Sequence, residues 1–106
     1  MLKELNDNNF DAEVLSAEGL VMVDFWAVWC SPCRALAPTV DAVAAEYDGK
    51  IKVAKFDVEG GTDIPARYGI RSIPTLLFFK NGELIDKSTG LIQKSALIEK
   101  IEQLLA

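Results

Sequence analysis

"VDFWAVWCSPCR", residues 23–34, holds the only two cysteines of the chain and reads in two halves. The first half closes an apolar run, "LVMVDFWA" at 20–27, whose valines and aromatics suit a strand buried on both faces. Asp24 is its one charge. The second half opens a helix, because Cys33, Leu36, Val40, Val43 and Tyr47 recur every three or four residues and so form one apolar stripe. Pro32 fits the first turn. Pro38 lies inside the stripe, removes the hydrogen bond to the Arg34 carbonyl and predicts a kink. Asp48-Gly49 ends the helix.

The next segment, "IKVAKFDV" at 51–58, alternates, with Ile51, Val53 and Lys55 on one face and Ala54, Phe56 and Val58 on the other. Two strands joined through a helix run parallel under the right-handed crossover rule. In front of them, Asn6 or Asp7 caps a first helix bearing Phe10, Val14 and Ala17 and stopped by Gly19, while Leu2–Leu5 adds an edge strand. Behind them, Asp63 caps a short helix through Tyr68, ended by Gly69. "TLLFFKNGELIDKS" at 75–88 forms a hairpin around Asn81-Gly82. Leu97, Ile98, Ile101, Leu104 and Leu105 mark an amphipathic terminal helix. The expected fold is α/β, a central mixed sheet with helices on both faces, in one domain over 1–106.

Half of the 106 residues are apolar and a quarter charged, enough for a core. The net charge is -5 with no basic block, which argues against nucleic acid as a partner. "MLKELNDNNFDAEV" lacks the apolar centre of a signal peptide, and no apolar run reaches membrane-spanning length. A soluble, cytoplasmic protein without membrane contact is expected. The chain has no histidine, so Cys-His and Ser-His-Asp nucleophiles and imidazole metal ligation are excluded.

Four readings of the Cys30–Cys33 pair compete. A structural zinc site wants four Cys or His ligands and the chain supplies two, so no metal is expected. A purely structural disulfide would close a very short loop and constrain the unfolded chain little. Two inert buried thiols are the third reading, since free cysteine packs as a small apolar residue. Redox exchange is the fourth and preferred one. Cys30 falls just before the first turn, where unpaired N–H groups and the positive end of the helix dipole stabilise a thiolate. Cys33 lies on the core-facing stripe, so Cys30 attacks a partner disulfide and Cys33 resolves the mixed disulfide intramolecularly.

The chain resembles the thioredoxin family. "VDFWA.WC.PC" at 23–33, "AP" at 37–38, "VAKFDV" at 53–58, "YGIRSIPTLLFFKNG" at 68–82 and Gly90 fall in family order and spacing, and the resemblance covers nearly the whole chain. It implies a thioredoxin fold, a βαβαββα core with an extra strand and helix in front. It implies a protein-disulfide reductase that carries electrons on its own Cys30–Cys33 pair without another cofactor, acts on disulfide-containing proteins as a monomer, and is re-reduced by a thioredoxin reductase.

Asp24, flanked by apolar residues, is costly to ionise, and its pKa is expected to be raised. The alternative is a strand that exposes one face. The resemblance sets Asp24 beneath the disulfide as the proton handler for Cys33, in place of the absent histidine. It sets Lys55 beside Asp24, favouring the charged carboxylate; the alternative is a stem that snorkels to water. An Ile73-Pro74 bond is trans on sequence grounds alone. The resemblance implies a cis Pro74 against the cysteines, an Ile73 backbone free to pair with substrate, and an apolar docking patch of Trp29, Ile73, Pro74, Gly90 and Leu91. Trp26 reads as a core ring, Arg34 as a solvated charge, and Gly60, Gly61 and Gly69 as backbone punctuation.

Ser31-Pro32 departs from the Gly-Pro common between the family's cysteines. A Ser31 hydroxyl donating to the Cys30 thiolate would stabilise the reduced form and make the couple more oxidising. Val28, apolar where many relatives are polar or acidic, widens the docking patch. An oxidant or isomerase on the same fold is the nearest rival, but those relatives usually carry histidine where Pro32 stands. A binding subunit with incidental cysteines is the other rival, and the joint presence of both cysteines, Asp24 and Lys55 argues against it.

Overall fold

Residues 20–26 are apolar on both sides because two layers cover them. In a computed structural model, which describes residues 2–106, strand β2 (Leu20–Trp26) is central in a five-stranded sheet of order β1-β3-β2-β4-β5. Met1, part of the 1–106 domain reading, lies outside the described residues. β1 (Lys3–Leu5) and β2 both run parallel to β3 (Lys52–Asp57), while β4 (Thr75–Lys80) is antiparallel to β2 and to β5 (Glu83–Thr89). Helix α1 (Ser31–Glu46) makes the crossover, α2 (Asp63–Arg67) precedes β4, and α3 (Lys94–Leu105) closes the chain.

Strand alternation divides the core in two. Leu20, Met22, Val53, Leu76 and Phe78 face Leu36, Val40 and Val43 of α1 and Leu97 and Ile101 of α3. Val21, Val23, Phe25, Ala54, Phe56, Leu77 and Phe79 face Phe10, Val14 and Ile64 on the other side. Phe25 and Phe56, adjacent in register, stack with centroids 5.3 Å apart. The face assignment read from "IKVAKFDV" holds, since Ala54 and Phe56 share the second core and Val53 joins the first. α1 runs unbroken through Pro38.

Two helix expectations need correction. The first helix is only a π-helical turn, Asp11–Leu15, with Ser16 N–H donating to the Asp11 carbonyl. The Asn6 carboxamide oxygen accepts from the N–H groups of Asn8 and Asn9, and so holds the turn before it. Asp7 is spent elsewhere: its carboxylate accepts from the N–H groups of Thr62, Asp63 and Ile64 at 3.0, 3.1 and 3.0 Å. Asp63 therefore does not cap α2 but sits in its first turn, and the capping charge comes from the N-terminal segment. Gly61 is more than punctuation, because a Cβ there would stand 2.5 Å from the Asp7 carboxyl carbon.

The hairpin turns at Asn81 and Gly82, with φ of 52° and 84°, the left-handed pair expected from the sequence. A Cβ on Gly82 would lie 2.4 Å from the Leu15 carbonyl oxygen, so this turn also packs on the π-helical segment.

Candidate active site

β2 ends at Trp26, the chain turns through Ala27–Trp29, and α1 begins with Cys30 at its cap. Proline at the second helical position is pre-set for this start, since its missing N–H would have had no helical partner. Cys30 and Cys33 form a disulfide with Cα atoms 5.2 Å apart. The Cys33 N–H donates to Cys30 Sγ at 3.2 Å, so a backbone donor of the first turn already points at the first sulfur. Cys30 Sγ also lies 3.7 Å from the Ile73 carbonyl oxygen. Both cysteines are buried with Ala27, against Trp26, Val58 and Ile73.

The Ile73-Pro74 peptide is cis, against the bare sequence expectation and in line with the resemblance. Pro74 is buried and its carbonyl accepts the Gly90 N–H at 2.8 Å, which ties the proline loop to the end of β5. Gly90 itself has φ of 89°. Val28 and Trp29, in the loop before Cys30, and Leu91, next to Gly90, are exposed by 59%, 61% and 61%, which is unusual for such large apolar groups.

Trp29 is held rather than loose: its Nε1 donates to a Glu59 carboxylate oxygen at 2.9 Å. Glu59 was not among the residues singled out from the sequence, and only its place in the acidic loop after β3 hints at it. Arg34 also has a defined partner, since its guanidinium donates to the Val28 carbonyl at 2.7 Å and fastens the loop before the cysteines. Ser31 and Pro32 are exposed, and the Ser31 hydroxyl makes no hydrogen bond among the described residues. Pro38 is exposed on α1, two turns below the pair.

Asp24 is 1% exposed, so the strand does not open one face to water. Burial pushes its carboxyl from the ordinary 3.8 up to about 6, opposed by the Lys55 charge and aided by the Asp41 charge. Lys55 is opposite Asp24 in the β2–β3 register, but its ammonium lies 4.6 Å from the centroid of the Trp26 ring. Asp24 Oδ1 and Trp26 Nε1 are buried without a hydrogen-bond partner among the described residues. A sulfur pair thus stands at a helix cap beside the exposed Val28 and Trp29, and the strand that leads into it carries one buried carboxyl whose pKa burial raises to about 6. Among the described residues no group of three or more His, Cys, Asp or Glu is placed to hold a metal.

The family model described as Thioredoxin matches residues 1–103. The chain belongs to the thioredoxin family. It is 48% identical to a thioredoxin of Rickettsia bellii over 95% of this chain and 96% of that protein. It is 50% identical to the chloroplastic M-type thioredoxin of Pisum sativum over 93% of this chain and 58% of that protein. It is 45% identical to thioredoxin 1 of a Nostoc species over 94% of each. As a thioredoxin-family member the chain is a thiol-disulfide oxidoreductase whose redox group is its own Cys30–Cys33 pair. Among the described residues no helix is long and apolar enough to cross a membrane.

Proposed function

We propose that the chain is a general protein-disulfide reductase of the cytoplasm, working as a monomer and re-reduced by a thioredoxin reductase. The observation that carries this reading is the Cys33 N–H directed at Cys30 Sγ, a donor in place for a thiolate at the helix cap. In the reduced protein the Cys30 thiolate attacks one sulfur of a substrate disulfide, forming a mixed disulfide and expelling the first substrate thiolate, which takes a proton. Cys33 then loses its proton, through water, to the Asp24 carboxylate and attacks Cys30 Sγ. The Cys30–Cys33 disulfide forms, the second substrate thiol leaves, and two electrons have passed to the substrate.

Asp24 suits the proton step because a carboxyl near 6 can both accept and return a proton at neutral pH. Lys55 sets how readily it does so. Trp29, Ile73, Pro74, Gly90 and Leu91 form the substrate surface, and the Ile73 backbone pairs with an extended segment beside the sulfurs. Trp26, Ser31, Pro32 and Pro38 shape the site, and Ser31 tunes the potential of the couple. Val28 supports a broader docking patch, since it is exposed beside Trp29.

The deciding experiment is a redox titration of the Cys30–Cys33 couple in a thiol buffer, followed by tryptophan fluorescence. A potential well below that of glutathione supports the reductant, one above it an oxidant or isomerase, and no reversible transition a binding subunit. Cys33→Ser should accumulate a mixed disulfide through Cys30, visible by mass spectrometry, and Cys30→Ser should not. Ser31→Gly should lower the potential; an unchanged potential and Cys30 pKa would remove the role of that hydroxyl.

A further inference from the structure

The chain has 11 basic residues, and nine of them have a partner among the described residues. Lys3, Lys52, Arg67, Lys94 and Lys100 form ion pairs. Arg34 and Lys80 donate to the carbonyls of Val28 and Leu104, and Lys50 and Lys55 lie over the rings of Tyr47 and Trp26. The other two, Arg71 and Lys87, have no such partner among the described residues, and both line one pocket of about 160 Å³.

The fold brings them together. Thr75 pairs with Thr89 and Leu77 with Lys87, so Thr75, Lys87 and Thr89 share one sheet face, and Arg71 and Ser72 arrive from the loop before Pro74. Among the described residues no acidic side chain lines the pocket. In a chain of net charge -5, two cations that line one pocket and have no ion-pair partner among the described residues are a local inversion of sign. Ser72 and Thr75 bracket the Ile73-Pro74 bond, and the Ile73 carbonyl oxygen is 3.7 Å from Cys30 Sγ. The pocket therefore opens next to the strip along which a substrate backbone pairs.

We infer that this pocket is an oxyanion subsite that takes the carboxylate of an acidic residue on the bound disulfide substrate, a few residues from the attacked cysteine. The inference rests on the reductase reading above. A guanidinium presents a planar fork to a carboxylate, an ammonium adds a point charge, and the Ser72 and Thr89 hydroxyls supply further donors, the Thr75 hydroxyl donating instead to the Ser72 carbonyl at 2.6 Å. Both cations are exposed, so the subsite acts on encounter and selection, and its effect falls with salt. A free phosphate offers the same chemistry from another source.

The test uses disulfide peptides that differ only by Glu or Gln at one position, stepped about two to five residues from the cysteine because an extended chain advances about 3.3 Å per residue. At low salt the Glu peptide should show a kcat/KM about 3- to 10-fold above its Gln twin at the matching step. Arg71→Gln with Lys87→Gln should abolish that difference and leave turnover of the Gln peptide unchanged. Equal values at every step, or a preference that survives the double substitution, overturn the subsite. A redox-independent readout is the amide shifts of Arg71, Ser72, Lys87 and Thr89 when the oxidised chain is titrated with the Glu peptide carrying serine for cysteine. Shifts without reduction of either disulfide peptide uphold the subsite and remove the reductase reading, whereas equal reduction without shifts removes the subsite alone. If inorganic phosphate moves these amides and the Glu peptide does not, the pocket serves a free oxyanion and the substrate-carboxylate assignment fails.

Discussion

Asp24 and Lys55 stand opposite each other in the parallel β2–β3 ladder, yet the lysine ammonium rests 4.6 Å from the centre of the Trp26 ring rather than in an ion pair with the carboxyl. The buried acid is consequently left with only part of a counter-charge, and burial prevails over Coulomb attraction in setting its proton affinity.

The first prediction concerns stability. Folded Asp24 holds its proton up to about pH 6, whereas an unfolded aspartate releases it near 3.8. Between those values the native state binds more protons, so stability falls as pH rises, and the loss persists in full above the folded value. A carboxyl so displaced costs on the order of 3 kcal/mol. Asp24→Asn should therefore be about 1–3 kcal/mol more stable than wild type at pH 8, with little difference at pH 3, in denaturant unfolding. The same variant should slow resolution of the mixed disulfide roughly tenfold and lose the inflection near pH 6, solvent supplying the rest of the proton transfer.

Lys55→Met removes the charge that holds the Asp24 pKa down, so the carboxyl should titrate above 6 by carbon NMR. Loss of the cation over the indole should also change Trp26 emission in a Trp29→Phe background. A carboxyl that titrates where it does in wild type would mean that Lys55 does not act on it.

Trp29 offers a test of docking apart from chemistry. Its ring is exposed and anchored by Glu59, so Trp29→Ala should lower kcat/KM for a folded protein disulfide about tenfold while sparing a small linear disulfide. Glu59→Gln keeps a carbonyl acceptor but loses the charge, and should give an intermediate loss.

Asp7 and Gly61 should be energetically coupled. Backbone N–H groups, that of Ile64 first, lower the Asp7 pKa, so its stabilisation is present above the ordinary 3.8 and is lost as pH falls through the folded value. Asp7→Ala should lower the Tm by roughly 5 °C at pH 7 and by less at pH 2, measured by circular dichroism. Gly61→Ala intrudes on the same carboxylate, so it should cost much less in the Asp7→Ala background than in wild type.

What the sequence determined by itself was the longer periodic segments and the hairpin turn, whereas the short period at Phe10, Val14 and Ala17 gave only a π-helical turn. Alternation in residues 51–58 marked two faces, the three-and-four spacing from Cys33 to Tyr47 marked the crossover helix, and Asn81-Gly82 marked the hairpin. The cysteine pair was legible for the same reason, since its spacing places both thiols in one helical turn. β2 and β3 came out one and two residues shorter than read, because apolar character continues past the last ladder bond.

Only the tertiary structure decided who meets whom across long separations. Asp7 was read as a cap for its own neighbours and instead caps a helix more than fifty residues away. Trp29 finds Glu59, Lys55 finds the face of Trp26, and Arg71 and Lys87 line one pocket only because β5 returns beside β4. Periodicity encodes which side of an element is buried, a property of neighbouring residues. It does not encode sheet order, and sheet order chooses the polar partners.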